Sequence, residues 1–347
     1  MMVVKVPVPL NVRDDLRGLY LQNNKFLWKR PSIKRLKNVF VTNSGLCVTA
    51  DGLVKECHHG YADQYDDYLN EVSHHYHCAL ERPESVVELY DGNTYLLIHS
   101  IWFNYYHWLS EPIYRLWMVR HKLDKMTLLL PEQYKGVDFI EGSLAPFKVQ
   151  KIVYIPEGKN LLVENLCMPQ IKPVCDSYHP IQLKKIRSFY HKFIKSRKSL
   201  LSSKIYLSRK KAGRRQIVNE AETEDVLISH GFAIYYPEDY TFLEQVLIMS
   251  ETRYLISTHG SGLTNIMFMK AGASVLELHQ LHTNYLEHPS FAFWYMASVL
   301  DINYYHQPCE FSGTEDYFTS DYLVDPTELD RNVQMMLAGR AKDKRSK

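Results

Sequence analysis

The chain has 347 residues, of which 46% are apolar and 23% charged, and it carries a formal net charge of +2. That composition excludes a disordered chain, allows two domains, and leaves a nucleic-acid partner without electrostatic support. No stretch approaches the roughly 18 to 20 uninterrupted apolar residues of a membrane-spanning helix, and six cysteines without a CxxC pair, behind an amino terminus lacking a cleavable leader, read as a reduced, cytoplasmic protein.

Up to about Ser85 the sequence is polar, tyrosine-rich and without a clean period, so no element is assigned there. Within it Cys57, His58, His59, Asp63, Asp66, Asp67, His74, His75, His77 and Cys78 gather metal-capable side chains. Their spacing matches no CxxC or HExxH pattern, so polar-loop histidines are the simpler reading and a metal-dependent enzyme the alternative.

Val86 to Tyr90, the turn Asp91-Gly92 and Thr94 to His99 read as a hairpin, because Asp-Gly tolerates the positive φ of a tight connection. A helix is expected from about Asn104 to His121, with Pro112 kinking or restarting it. It carries His107, Glu111 and Arg115 at four-residue spacing, one polar stripe in an aromatic background. Such a stripe is either a satisfied internal network or the wall of a cleft. In a cleft, His107 suits a general base and Glu111 its orienter, or Glu111 is itself the base. Strands follow at Thr127 to Leu130 and Gln150 to Ile155, with a short helix at Val137 to Leu144 between them.

Pro180 to Lys198 reads as a helix with one apolar and one basic face, able to connect two domains. A basic helix over residues 181–198 leaves a peripheral membrane contact open, although a solvated face over a packed stripe also accounts for it.

From there the grammar is clear. Lys204 to Leu207 is a strand; Asn219 and Glu222 open a helix as a capping-box variant that stops at Gly231; Phe232 to Tyr236 is the next strand. Thr241 and Glu244 open a second helix to about Ser250, Tyr254 to Ser257 is a third strand, and a short helix at Thr264 to Lys270 leads to the strand Ser274 to Leu278. This alternation predicts a parallel, right-handed, Rossmann-like sheet that binds ligands at the carboxyl ends of its strands. A last helix has Asp325 as cap, Pro326 in its first turn and Glu328 completing a box.

The turn His259-Gly260-Ser261-Gly262 lies at such a strand end. Its glycines admit a ligand to the main chain, and outward N–H groups at a helix amino terminus favour phosphate or diphosphate. His259 is a further donor, as are the hydroxyls of Ser261 and Thr264. Ser208-Arg209 follows the first strand of the same sheet, and Arg209, with Arg215 second, is expected to complete a diphosphate clamp. Glu277, at the next strand end, is expected to accept hydrogen bonds from ribose hydroxyls.

HGSGLTN with the following FMKAG and LEL, the upstream YLSRKKAGRR and VNEAE, and NYYHWL resemble family 61 glycosyltransferases over about Asn104 to Leu278. The resemblance implies an α/β fold of GT-B architecture, two Rossmann-like domains facing across a cleft, with inverting transfer of a sugar from a nucleotide donor, commonly a UDP-sugar, to a glycan acceptor. By it Arg209, His259, Gly260, Gly262, Leu263, Asn265 and Glu277 belong to the donor site, and His107 and Trp108 to the acceptor side. Ser261 stands where the family usually has alanine. The expected domains are residues 1–180 on the acceptor side, 181–310 binding the nucleotide sugar, and 311–347 as a tail and helix that packs back. No metal or other cofactor is expected, and the membrane anchor of animal and plant relatives is not visible. The alternative from another class is a non-catalytic module that binds nucleotide or polysaccharide.

Overall fold

The computed structural model describes residues 1–172, 175–195, 202–280, 289–312 and 319–343. They form two units, one of residues 29–175 and one of residues 2–28 with 176–347. The amino-terminal segment groups with the second unit. Its strands β1 (Met2–Lys5) and β2 (Lys25–Trp28) pair antiparallel around helix α1 (Asp14–Gln22). The segment is tied to the second unit by backbone and ring contacts. Leu10 N–H donates to the Tyr304 carbonyl at 2.9 Å, Trp294 Nε1 donates to the Pro7 carbonyl at 2.7 Å, and Tyr20 packs edge-on against Trp294 at 4.8 Å.

In the first unit, strands β3 (Ile33–Val41), β4 (Cys47–Thr49) and β5 (Gly52–Leu53) precede helix α2 (Tyr65–Glu81). Then come β6 (Val86–Leu89), β7 (Tyr95–Leu97), α3 (Tyr105–Ser110), α4 (Pro112–Val119), β8 (Thr127–Pro131), α5 (Asp138–Leu144), β9 (Ile152–Ile155) and β10 (Asn160–Pro169). The sheet runs β5-β4-β3-β10-β7-β8-β9, parallel from β10 to β9 and antiparallel from β10 to β5. Its inner face buries Val39, Val41, Leu97, Leu129, Val163 and Met168 in one core.

The expected hairpin at Asp91-Gly92 is not one. β6 and β7 do not pair with each other; each pairs parallel with β10, at Asn160–Val163 and at Leu166–Cys167. The loop between them carries the chain past a break in one parallel lane. Asp91 stabilises it by accepting from Asn93 N–H at 3.0 Å and from the Tyr95 hydroxyl at 2.9 Å, and Gly92 adopts φ +75°.

The helix expected from Asn104 to His121 breaks at Glu111, whose φ/ψ of −125°/−70° lies outside the helical region, and restarts at Pro112. Proline without an N–H fits the first turn of the second helix, which is why the break falls there.

In the second unit, α6 (Pro180–Ile194) leads to β11 (Lys204–Leu207), α7 (Glu220–Ser229), β12 (Ala233–Tyr235), α8 (Phe242–Glu251), β13 (Tyr254–Thr258) and β14 (Ser274–Gln280). Helix α9 (Ala292–Val299), β15 (Asn303–Ser312), β16 (Asp321–Leu323) and α10 (Pro326–Asp343) complete it. Residues 196–198 of the expected basic helix lie outside the described residues. The sheet order is β12-β11-β13-β14-β15-β16, parallel through β15 with an antiparallel edge at β16. Numbered within the unit, the parallel part reads 2-1-3-4-5, an open doubly wound order whose switch point lies between β11 and β13. Among the described residues no helix is long and apolar enough to cross a membrane.

Local signals explain most of these boundaries. Thr241 and Glu244 form the reciprocal capping box of α8, Gly231 takes φ +78° after α7, and Asp325 accepts from the N–H groups of Thr327 and Glu328. Asn219 differs from its expected capping role. Its side chain makes no bond to the α7 backbone; Nδ2 donates to Glu222 Oε2 at 3.2 Å and to the Val324 carbonyl at 2.8 Å, and Oδ1 accepts from Val324 N–H at 3.1 Å, bracketing the chain beyond β16.

An ordinary amino-terminal cap tolerates Asn→Asp almost without cost. Here Asn219→Asp removes the donor to Val324, and urea unfolding is expected to show a loss of about 1 to 2 kcal/mol. An unchanged stability would return Asn219 to a capping role.

Candidate functional site

Loops beyond β11 and β13 leave the sheet side by side at its switch point, where a crevice opens between connections that go to opposite faces. From the first comes Arg209, from the second the turn His259 to Gly262. Arg209 Nε donates to the Arg215 carbonyl at 3.2 Å and Nη2 to the Arg214 carbonyl at 3.0 Å, so its own loop holds the guanidinium. The guanidinium then lies against Gly260: a Cβ there would meet Arg209 Nη1 at 2.4 Å. Gly260 has φ 166°, which any residue adopts, so the requirement for glycine is one of space. Gly262 is a milder case, its added Cβ meeting Leu207 Cδ2 at 3.2 Å.

The segment after the turn is a 3-10 helix, Ser261–Phe268, which begins three residues before the short helix expected from Thr264. Its first bond runs from Leu263 N–H to the Gly260 carbonyl at 2.9 Å. Among the described residues the N–H groups of Gly260, Ser261 and Gly262 donate to no acceptor. Three open donors beside a guanidinium make a concavity for an anion.

The electrostatics agree. Arg215 is buried in a left-handed conformation, φ +57°, and its pKa falls to about 10 through burial and then the repulsion of Arg209. Two like charges held together in a partly desolvated loop favour whatever anion settles between them.

His259 and Glu277 form the floor of the site. Glu277 is fully buried, with Oε1 2.6 Å from His259 Nδ1 and Oε2 accepting from the Tyr304 hydroxyl at 2.6 Å. Burial raises its pKa, with His279 and then Tyr304 working the other way. His259 is pushed down to about 3 by burial and then by Arg215 and Arg209, so its imidazole is neutral. His279 and His306 continue the buried network, with ring centroids 4.6 Å from His259 to His279 and 5.6 Å on to His306. The amino-terminal segment closes it from below, because Asn11 both accepts from His306 N–H and donates to its carbonyl.

The sequence-derived donor residues therefore divide. Arg209, Arg215, His259, Gly260, Ser261 and Gly262 come together. Leu263, Thr264 and Asn265 are buried, Asn265 donating to Gln245 Oε1 at 3.0 Å, and Ser208 is buried with its hydroxyl on Glu220 Oε1 at 2.5 Å. These four support the turn from inside. Glu277, expected at the ribose, has both oxygens occupied within the protein.

In the first unit the stripe His107, Glu111, Arg115 is split by the break at Glu111. Arg115 turns into the core, donating to the carbonyls of Pro169, Ile98 and His99 at 2.6 to 2.9 Å. Glu111 is fully buried, and His107 Nδ1 lies 3.0 Å from its Oε1. His59 Nε2 approaches the same oxygen at 3.2 Å, and the indole of Trp102 stacks on His59 at 4.0 Å. Burial would raise the Glu111 pKa; the contacts from His107 and His59 outweigh it and hold the carboxyl well below the usual range. His107 keeps partial exposure while the other two are enclosed. Trp108 points inward, donating from Nε1 to Ser143 Oγ at 2.8 Å.

His59 was read only as one of ten metal-capable side chains, and the structure breaks that group up. Cys57, His58 and His59 are buried, while His74 and His77 lie exposed on α2. A pairing between residues 59 and 111 has no local sequence signal.

With this geometry in view, the Glycosyltransferase 61 family model matches residues 105–276, and over that span the chain resembles family 61 glycosyltransferases. The match spans the His107 helix, the Arg209 loop and the 259–262 turn, and it implies a glycosyltransferase. No curated protein matches the chain.

Two tests follow from the geometry. Gly260→Ala drives a Cβ into the Arg209 guanidinium and should cost about 1 to 3 kcal/mol, most of it recovered when Arg209→Ala is added. Purely additive losses in that double-mutant cycle would separate the two residues. The buried histidines set an acid limit: His259 and His306 titrate near 3 and His99 near 4 in the fold, against 6.5 unfolded. Below about pH 6.5 the unfolded chain takes protons that the fold refuses, so the stability these groups support is present above that pH and falls on acidification, each by up to about 1.4 kcal/mol per unit. The raised carboxyl of Glu277 works against this trend. Urea unfolding at stepped pH reads the slope; a flat profile from pH 6.5 to 4.5 would contradict neutral imidazoles.

Proposed function

We propose that the chain is an inverting glycosyltransferase that moves a sugar from a nucleotide donor, most simply a UDP-sugar, to a hydroxyl of a glycan acceptor. The observation that carries this reading is the switch-point concavity. Three open backbone N–H groups meet the Arg209 guanidinium, with Arg215 beside it, at the carboxyl end of a parallel sheet. In the GT-B arrangement implied by the family resemblance, the second unit takes the donor and the first the acceptor. The acceptor oxygen attacks the anomeric carbon, the bond from that carbon to the diphosphate oxygen breaks, and the leaving group departs as an anion. N–H groups and fixed guanidiniums aimed at that developing charge need no reorganisation, and they serve the role that a divalent metal plays elsewhere.

The acceptor must lose a proton, and His107 is our choice of base. Its Nδ1 faces a buried carboxylate, which leaves Nε2 as the basic nitrogen on the partly exposed side. Glu111 then acts through His107, as a group that fixes the tautomer. His259 Nδ1 is held in the same way by Glu277, so Glu277 orients His259 instead of contacting ribose.

Unfolding temperature in UDP, GDP and CMP identifies the nucleotide, and hydrolysis and transfer from the matching nucleotide sugar identify the reaction. Arg209→Ala should weaken nucleotide binding about 10- to 100-fold, the loss of a charge-assisted pair. His107→Ala should leave that binding unchanged and lower transfer about 10² to 10⁴-fold. Stabilisation by a nucleotide without any transfer would make the protein a binding module; no stabilisation by any of them would remove the donor reading.

A further inference from the structure

Glu111 Oε1 is engaged by His107, yet Glu111 Oε2 and His59 Nε2 are buried with no hydrogen-bond partner among the described residues. His59 Nε2 stands 3.2 Å from the carboxylate without the alignment of a hydrogen bond, the relation that two ligands of one ion have. Cys175 brings a third donor: one ligand atom each from His59, Glu111 and Cys175 all lie within 4.8 Å of one another, and all three residues are buried. Nothing in the sequence joins them, since they come from a loop after β5, the break between α3 and α4, and the segment beyond β10.

We propose that His59, Glu111 and Cys175 bind a zinc ion inside the first unit. Zinc bonds of about 2.0 to 2.3 Å place neighbouring tetrahedral ligands about 3.3 to 3.8 Å apart. His59 Nε2 stands 3.2 Å from Glu111 Oε1, close to that spacing, and the sulfur, within 4.8 Å of the other ligand atoms, closes by at most about 1 to 1.5 Å. The donor set of imidazole, carboxylate and thiolate selects zinc over magnesium or calcium, which require oxygen. A dication with one carboxylate and one thiolate is neutral overall, which suits a buried site better than a lone carboxylate does. Two buried cations stand near. Arg115 is bonded to carbonyls, and Lys172 Nζ donates to the Cys175 carbonyl at 2.5 Å, which with Cys175 N–H donating to the Tyr61 hydroxyl at 3.3 Å fixes the cysteine backbone. The other His-Glu-His group, His259, Glu277 and His279, is a poorer candidate, because both Glu277 oxygens are taken and Arg209 and Arg215 repel a cation.

The zinc takes one carboxylate oxygen of Glu111 while the other stays with His107, so the ion fixes the carboxylate that orients the imidazole. This assignment does not depend on sugar transfer.

The full-length chain, purified without chelator, should carry about one zinc per chain by elemental mass spectrometry. Exchange of that metal for Co²⁺ should give a thiolate-to-cobalt charge-transfer band in the near ultraviolet, absent in Cys175→Ser and kept in His107→Ala. The wild-type cobalt spectrum stands even if a variant fails to fold. A chain that takes up no zinc from a micromolar zinc solution, or a cobalt spectrum without a thiolate band, would overturn the proposal.

Discussion

The guanidinium of Arg209 lying against the bare main chain of Gly260 is the contact on which the rest of the second unit's chemistry depends. It exists because β11 and β13 are adjacent at the switch point of a 2-1-3-4-5 sheet, so that two loops far apart in sequence leave the sheet together. Glycine makes the approach sterically possible, and the carbonyls of Arg214 and Arg215 keep the arginine from swinging into solvent. Holding a cation there, close to a second one, costs stability that only an anion repays. The same turn supplies open N–H groups, so charge and hydrogen-bonding capacity point to one place.

Each unit also holds a buried carboxylate that serves an imidazole. Glu111 pairs with His107 and Glu277 with His259, and in each pair the carboxylate is enclosed while the histidine keeps some exposure. A buried charge without a partner would be expensive, so these pairs persist as units. The two differ in their surroundings. His259 faces arginines that suppress its protonation, whereas His107 lies beside His59 and Trp102. One environment keeps the imidazole uncharged beneath the arginines, the other leaves a partly exposed nitrogen next to a carboxylate.

The second half of the chain was legible because its punctuation is local. Thr241 with Glu244, Gly231, and Asp325 before Pro326 each act within four residues, and the structure uses them as read. Where a residue's partner is distant, the same rules misled. Asp91-Gly92 has the chemistry of a hairpin turn, yet its flanking strands both pair with β10 about seventy residues away. Asn219 has the look of a cap and holds Val324 instead. Glu277 read as ligand-facing because a strand end usually is, but every residue of β14 is buried and the glutamate finds Tyr304 on the next strand. His59 meeting Glu111, and Asn11 meeting His306, are encounters set by topology alone.

If a nucleoside diphosphate binds at the switch point of the second unit, amide hydrogen exchange with and without UDP or GDP will register it. The nucleotide that raises the unfolding temperature should slow exchange at the amides of residues 260–262 and in the 209–215 loop. Protection confined to other segments, with those amides exchanging as fast as in the free protein, would contradict it.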